Sequence, residues 1–208
     1  MIVPRIYPIT DRRITGMTHT AQVEVLVLAG ATFIQLREKH LAPRDFLEDA
    51  RSALAVARRY GARVIINDRV DVAAALGADG VHLGQDDLPP DAARAILGPA
   101  AIIGFSTHST EQAKQASQFP IDYLAFGPIF ATSTKEKADD VVGTEGLARV
   151  RAEIRELPLV AIGGITSSNA AAVIAAGADS LALISAVLIP ASTIAQNFRL
   201  LAQSVQQS

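Results

Sequence analysis

The chain has 208 residues, half of them hydrophobic and few aromatic, with a net charge of −2. That length can bury one substantial core, and the near-neutral charge, with no Lys/Arg run, argues against nucleic acid as a partner. Without cysteine there is neither a disulfide framework nor thiolate chemistry, and the expected setting is cytoplasmic.

At the N-terminus, Met1-Ile2-Val3-Pro4-Arg5 lacks the charged-then-apolar layout of a signal peptide. Nowhere does an apolar run approach the about 18 residues of a membrane span, so no membrane association is expected. Short apolar runs predict strands at 5–9, 33–36, 64–66, 80–83, 102–104, 123–126, 159–162 and 181–184. Helical patterns fit between them, for example at 43–60, 109–118, 144–156 and 168–176, and again after the last strand. A Gly-Ala pair leads into the strand at Gly30-Ala31, Gly61-Ala62, Gly77-Ala78 and Gly177-Ala178. Glycine there suits the positive φ that ends a helix before a buried strand. The segment 127–143 predicts a long loop after the sixth strand, and long loops in compact domains are often functional.

Alternating strands and helices imply parallel strands joined by crossover helices. Eight such units could form an open doubly wound sheet. The count of eight, and the lack of Gly-x-Gly-x-x-Gly after the first strand, favour closure into a (β/α)₈ TIM barrel, with 1–208 as a single domain. The sequence leaves the oligomeric state open.

Chemistry in such barrels sits at the C-terminal ends of the strands. Each end here supplies polar or glycine residues, and three subsets stand out. Arg37, Lys39 and Lys135 are cations suited to phosphate oxygens. Asp68 and Asp87 suit Mg²⁺, which bridges carboxylate and substrate phosphate, or could cap helices; the residues alone leave both readings open. Capping is the expected role of Asp11 and Asp86. Gly163-Gly164 and Ser185 follow the last two strands, where barrels often bind phosphate, and Thr132-Ser133-Thr134-Lys135 makes a second anion site plausible. His82 lies within a strand, where a satisfied core residue is the expected reading. His108 follows the fifth strand, while His19 and His40 are expected at the surface.

In order, Tyr7-Pro8-Ile9-Thr10-Asp11, Ile34-Gln35-Leu36-Arg37-Glu38-Lys39, Ile66-Asn67-Asp68-Arg69, the run from Ala78 to Asp87, Ile103-Gly104-Phe105-Ser106-Thr107-His108-Ser109, the run from Gly127 to Lys135, and Gly163-Gly164-Ile165 resemble the thiamine-phosphate synthase (thiamine-phosphate pyrophosphorylase) family. The likeness runs from Tyr7 to Ser185. The resemblance implies a transferase that joins an aminopyrimidine-methyl diphosphate to a thiazole phosphate with Mg²⁺, through a pyrimidine-methyl cation. It implies Mg²⁺ at Asp68 and Asp87, and the diphosphate at Arg37, Lys39, Asn67 and Lys135. Gln35 and Ser106 would lie near the pyrimidine, with Thr132, Thr134, Gly164, Ile184 and Ser185 on the thiazole phosphate. Lys135, Arg37 and Ser106 are the catalytic candidates. Ala131 stands where many members have proline. A thiazole tautomerase of the same fold, working through a histidine at a position like His108, and a non-catalytic phosphate-binding barrel are the alternatives. Lys135 with its threonines and Asp87 favour the synthase over a tautomerase, which has no diphosphate or Mg²⁺ to hold, and the presence of both metal carboxylates speaks against the non-catalytic barrel.

Overall fold

A computed structural model of the chain describes residues 3–132 and 140–205. Ser133, Thr134 and Lys135, all named above, lie outside the described residues. Eight strands, β1 (Ile6–Thr10), β2 (Phe33–Leu36), β3 (Arg63–Asn67), β4 (Gly80–Leu83), β5 (Ile102–Thr107), β6 (Tyr123–Phe126), β7 (Leu159–Ile162) and β8 (Ser180–Leu183), pair in parallel in sequence order. β8 returns to β1, with Ile6 opposite Leu181, and closes the barrel. The helices are α1 (Arg12–Thr15), α2 (His19–Leu28), α3 (Pro43–Arg59), α4 (Val70–Leu76), α5 (Pro90–Leu97), α6 (Thr110–Ala116), α7 (Gly143–Ile154), α8 (Ala170–Ala175), α9 (Ser185–Leu188) and α10 (Ile194–Ser204). None of the described helices is long and apolar enough to cross a membrane.

The strands are buried on both faces, which is why they read as apolar runs rather than alternations. Their outward side chains meet the helices. In α3, Phe46, Ala50, Ala53, Leu54 and Ala57 recur at helical spacing and form the buried stripe. Pro43 begins that helix, where its missing N–H costs nothing, and Arg58 and Arg59 end it, where cations complement the helix dipole. The inward side chains fill the barrel as a separate core of Val3, Tyr7, Ile9, Phe33, Ile65, Ile102, Tyr123, Ala125, Val160 and Ala182. The interior is therefore packed below and open only at the C-terminal rim.

The recurrent glycines do end helices: Gly30, Gly61, Gly77 and Gly177 all have positive φ. At the barrel floor a second device repeats. Asp79, Asp122 and Asp179 each precede a strand, and each accepts a bond from a backbone N–H of the preceding strand, Val64, Ile103 and Leu159 respectively, at 2.8 Å. Arg94 pairs with Asp122 at 2.7 Å, and Arg151 pairs with Asp179. These groups tie each helix-to-strand turn to the neighbouring strand, far from the rim.

Four strands have boundaries that differ from expectation. β3 gains one residue at each end, and β8 is shifted one residue back, to Ser180–Leu183. β1 is shifted one residue, to end at Thr10. β5 runs on to Thr107 instead of ending at Gly104, because Ser106 and Thr107 pair with Ala125 and Phe126 of β6 and Thr107 Oγ1 donates to the Ala125 carbonyl at 3.0 Å. Their hydroxyls disguise a strand as a loop.

Candidate active site

The strand ends surround one cavity of about 510 Å³. All the expected site residues among the described ones line it: Gln35, Arg37, Lys39, Asn67, Asp68, Asp87, Ser106, Thr132, Gly164, Ile184 and Ser185. His82 and His108 line it too. The alternation of a strand explains part of this. Gln35 is paired with Ile9 and Ile65, which point into the barrel, so Gln35 points inward one layer above Phe33.

On one side of the mouth Arg37 Nη1 donates to Asp11 Oδ2 at 2.6 Å. Asp11 does cap α1, accepting from the Arg13 and Ile14 N–H groups, and its second oxygen orients the guanidinium. Beside it, Lys39 Nζ donates to Asp68 Oδ2. Asp68 and Asp87 are brought against each other. Burial pushes the Asp87 carboxyl pKa above its ordinary value and the Asp68 charge pushes it further, against the pull of the Gly84 N–H and Lys39. The Gly84 N–H donates to Asp87 Oδ2 at 2.7 Å and holds that side chain in place. Asp68 has φ +61, in the left-handed region, a conformation that Asp accepts more readily than most residues.

Two carboxylates crowded together favour a cation between them. Among the described residues no group of three or more His, Asp or Glu side chains forms a metal cage. A donor set of two carboxylates facing an open cavity fits Mg²⁺, which keeps waters and completes its shell with substrate phosphate.

The opposite wall is made by Gly163 and Gly164 after β7, with φ +100 and +63. Side chains there would meet neighbours: a Cβ on Gly164 would lie 2.6 Å from the Ala131 carbonyl oxygen, and one on Gly163 would lie 2.5 Å from Pro128 Cβ. The pair lets the segment after β6 lie close, tied by Ile129 N–H to Ile162 O at 2.9 Å and Phe130 N–H to Gly163 O at 3.0 Å. Thr132 and Gly164 thereby share the cavity with Ile184 and Ser185.

Below the mouth runs a chain of hydrogen bonds that the motifs do not reveal. Gln35 Nε2 donates to Tyr7 OH at 2.9 Å, and Tyr7 OH meets Tyr123 OH at 2.9 Å. Tyr123 OH meets His82 Nδ1 at 2.9 Å, and His82 Nε2 meets Ser106 Oγ at 2.8 Å. Burial pushes the His82 pKa down to about 4 against the attraction of Asp87, so the imidazole is neutral. Burial likewise raises both tyrosines. His82 is the buried, hydrogen-bonded core residue expected, and its ring also lines the cavity. Tyr7 and Tyr123 were missed because each sits in an apolar strand, where a tyrosine reads as packing; their inward parity is the signal that could have found them.

One expectation is overturned. His19 is fully buried, not at the surface. Its Nδ1 meets Thr10 Oγ1 at 2.7 Å and its Nε2 meets Glu38 Oε2 at 3.3 Å. Burial lowers its pKa and outweighs the raising effect of Asp49 and Glu38, so the Glu38 contact is a hydrogen bond to a neutral ring. The ring braces the segment that carries Gln35 and Arg37. The His108 Nδ1–H donates to the Gly127 carbonyl oxygen at 2.6 Å.

A family model described as thiamine monophosphate synthase matches residues 6–187. A thiamine-phosphate synthase of Azorhizobium caulinodans is 50% identical over 185 residues, covering 88% of this chain and 86% of that one. One from Moorella thermoacetica is 45% identical over 196 residues, covering 94% of this chain and 93% of its own. A solved thiamine phosphate pyrophosphorylase from Pyrococcus furiosus superposes with a TM-score of 0.87 at 37% identity, over 98% of this chain and 96% of the other.

Proposed function

The chain belongs to the thiamine monophosphate synthase family and is a transferase that makes thiamine phosphate, and from that premise we propose that it couples 4-amino-2-methyl-5-(diphosphooxymethyl)pyrimidine to a thiazole phosphate, releasing diphosphate, with Mg²⁺ held by Asp68 and Asp87. The observation that carries this reading is the meeting of Lys39, Asp68 and Asp87 at one cavity that Arg37 also lines. Opposite charges from three strand ends converge where a metal–diphosphate would sit. The tautomerase alternative is not favoured, since the relatives are synthases.

Arg37, Lys39 and Asn67 would bind the diphosphate, joined by Lys135. Gln35 and Ser106 would hold the pyrimidine. Thr132, Thr134, Gly164, Ile184 and Ser185 would hold the thiazole phosphate across the cavity. Mg²⁺, when bound, supplies charge neutralisation on the diphosphate oxygens. The cationic side chains stabilise the negative charge that grows on the leaving group as the methylene carbon–oxygen bond breaks, with both electrons departing on oxygen. The pyrimidine amino group delocalises the positive charge left on carbon. The thiazole nitrogen, held nearby, donates its lone pair to form the new carbon–nitrogen bond. No side-chain nucleophile is needed. Because both substrates are phosphorylated metabolites, the cytoplasm is the compartment we propose.

The test is to incubate the protein with both substrates, with and without Mg²⁺, and measure thiamine phosphate and diphosphate. Product that requires Mg²⁺, and that Asp87→Ala abolishes without unfolding the protein, is expected. Unchanged turnover in Asp87→Ala would remove the metal assignment. Lys135→Ala should slow the coupling sharply, and a normal rate there would remove Lys135 from the anion site.

A further inference from the structure

The chain of hydrogen bonds from Gln35 to Ser106 begins and ends at side chains that line the cavity, while its middle is buried. Gln35, Tyr7, Tyr123 and His82 are 2%, 1%, 0% and 7% exposed. Such a chain has a direction. Gln35 turns its amide nitrogen to Tyr7, so Tyr7 oxygen accepts. The Tyr7 hydroxyl must then give its own proton to Tyr123, since an unpaired buried O–H is costly. Tyr123 in turn gives its proton to His82 Nδ1. A neutral imidazole has one N–H, which is now on Nε2 and donates to Ser106 Oγ. Two groups remain for the cavity: the Gln35 carbonyl oxygen, which only accepts, and the Ser106 hydroxyl, whose proton is free of the chain and donates.

We infer that the buried chain through Tyr7, Tyr123 and His82 fixes which of Gln35 and Ser106 accepts and which donates, and so makes the site select an aminopyrimidine over its oxo counterpart. This rests on the reading that Gln35 and Ser106 meet the pyrimidine. A 4-aminopyrimidine offers an N–H donor beside an unprotonated ring nitrogen, the complement of one acceptor and one donor. The 4-oxo ring, in its lactam form, offers the reverse: a carbonyl acceptor beside a ring N–H. In a chain of fixed direction it would set acceptor against acceptor and donor against donor, and buried mismatches discriminate strongly. The selection has a chemical purpose, because the amino group is what delocalises the cation after the diphosphate leaves. Tyr7, Tyr123 and His82 are positioning residues: they act on the substrate through Gln35 and Ser106.

The direction can be read without substrate. Nitrogen-15 spectra of the full chain labelled at histidine, with the His82 signals assigned by their loss in His82→Gln, should show the Nε2–H tautomer with Nδ1 as acceptor. An Nδ1–H tautomer would overturn the inference. The consequence is read with the 4-oxo analogue of the pyrimidine diphosphate as a competitive inhibitor. Its Ki in the unaltered enzyme should exceed the KM of the amino substrate by about a hundredfold. Tyr123→Phe keeps the ring but removes the donor to His82, so both directions become accessible, and the ratio of Ki to KM should narrow about tenfold. Tyr7→Phe cuts the same chain at its other tyrosine and should do likewise, which keeps the test open if one variant folds poorly. A ratio unchanged in both, even with both constants raised together, would show a structural role only and overturn the inference. Gln35→Leu separates the two levels of argument: an unchanged KM for the pyrimidine diphosphate there would overturn the placement of the ring itself, whatever the tautomer.

Discussion

Tyr123 lies flat against His82 because position 104, between them on the barrel wall, has no side chain. The two rings are 5.6 Å apart and inclined by 19°. Gly104 pairs with both residues, and a Cβ there would lie 2.0 Å from Tyr123 Cζ and 2.3 Å from its hydroxyl. Gly104→Ala must therefore displace the tyrosine. Overpacking of this kind costs about 1–3 kcal/mol, so the melting temperature should fall by several degrees and the KM for the pyrimidine diphosphate should rise. A variant with native stability and native KM would mean that the ring finds another seat without losing its bonds.

Asp68 combines a proposed metal role with a backbone that resists most residues. Its φ of +61 suits Asp and Asn but not Ala. Asp68→Asn should keep the fold's stability while weakening Mg²⁺ binding at least tenfold by titration calorimetry. Asp68→Ala should lose the same affinity and also about 1 kcal/mol of stability. Equal melting temperatures for the two variants would show that the turn relaxes freely; undiminished Mg²⁺ affinity in both would remove Asp68 from the metal.

Much of this architecture was legible in the chain. Gly77-Ala78-Asp79 and Gly177-Ala178-Asp179 each encode a helix end, a turn and a strand start, and the structure uses every part of both. The rim was legible because polar residues directly after apolar runs have few places to go in a closed barrel. Asp11 was legible as a cap, but its grip on Arg37 was not, since nothing local links positions 26 residues apart. The polar chain was hidden for the same reason: Tyr7 and Tyr123 are 116 residues apart and meet only when the barrel closes. His19 was misplaced because a histidine near a helix start resembles a surface residue until strand and helix pack around it.

The barrel floor offers a contrast between stability and activity. Asp122 accepts from the Ile103 N–H at 2.8 Å and from Arg94 at 2.7 Å, away from every cavity-lining residue named above. Asp122→Ala leaves that backbone N–H without its partner, at a cost of about 1–3 kcal/mol. Denaturant unfolding should show the loss, while kcat and KM at a temperature well below the transition stay unchanged. A large fall in kcat with native stability would mean that the floor is coupled to the rim.

Both buried histidines make the fold sensitive to acid. His82 is held at about 4 and His19 is also lowered, against the 6.5 of an unfolded chain. A lowered histidine pKa means that the unfolded state takes up protons first, so the stability is intact above about pH 6.5 and is lost as pH falls below it. For His82 alone the loss should approach about 3 kcal/mol by pH 4, the span of about 2.5 units. Glu38 and Asp49 add to this at lower pH. Burial raises each, but the backbone N–H groups that they accept from outweigh it and leave both below their ordinary values. Their contribution is lost only as pH falls further, through those lowered values. Melting temperatures from pH 7.5 to 4.5 should therefore decline from about pH 6.5 downward, and His82→Gln should flatten the decline while lowering the plateau. If the unaltered protein held a constant melting temperature down to pH 4.5, neither ring would be buried in its neutral form.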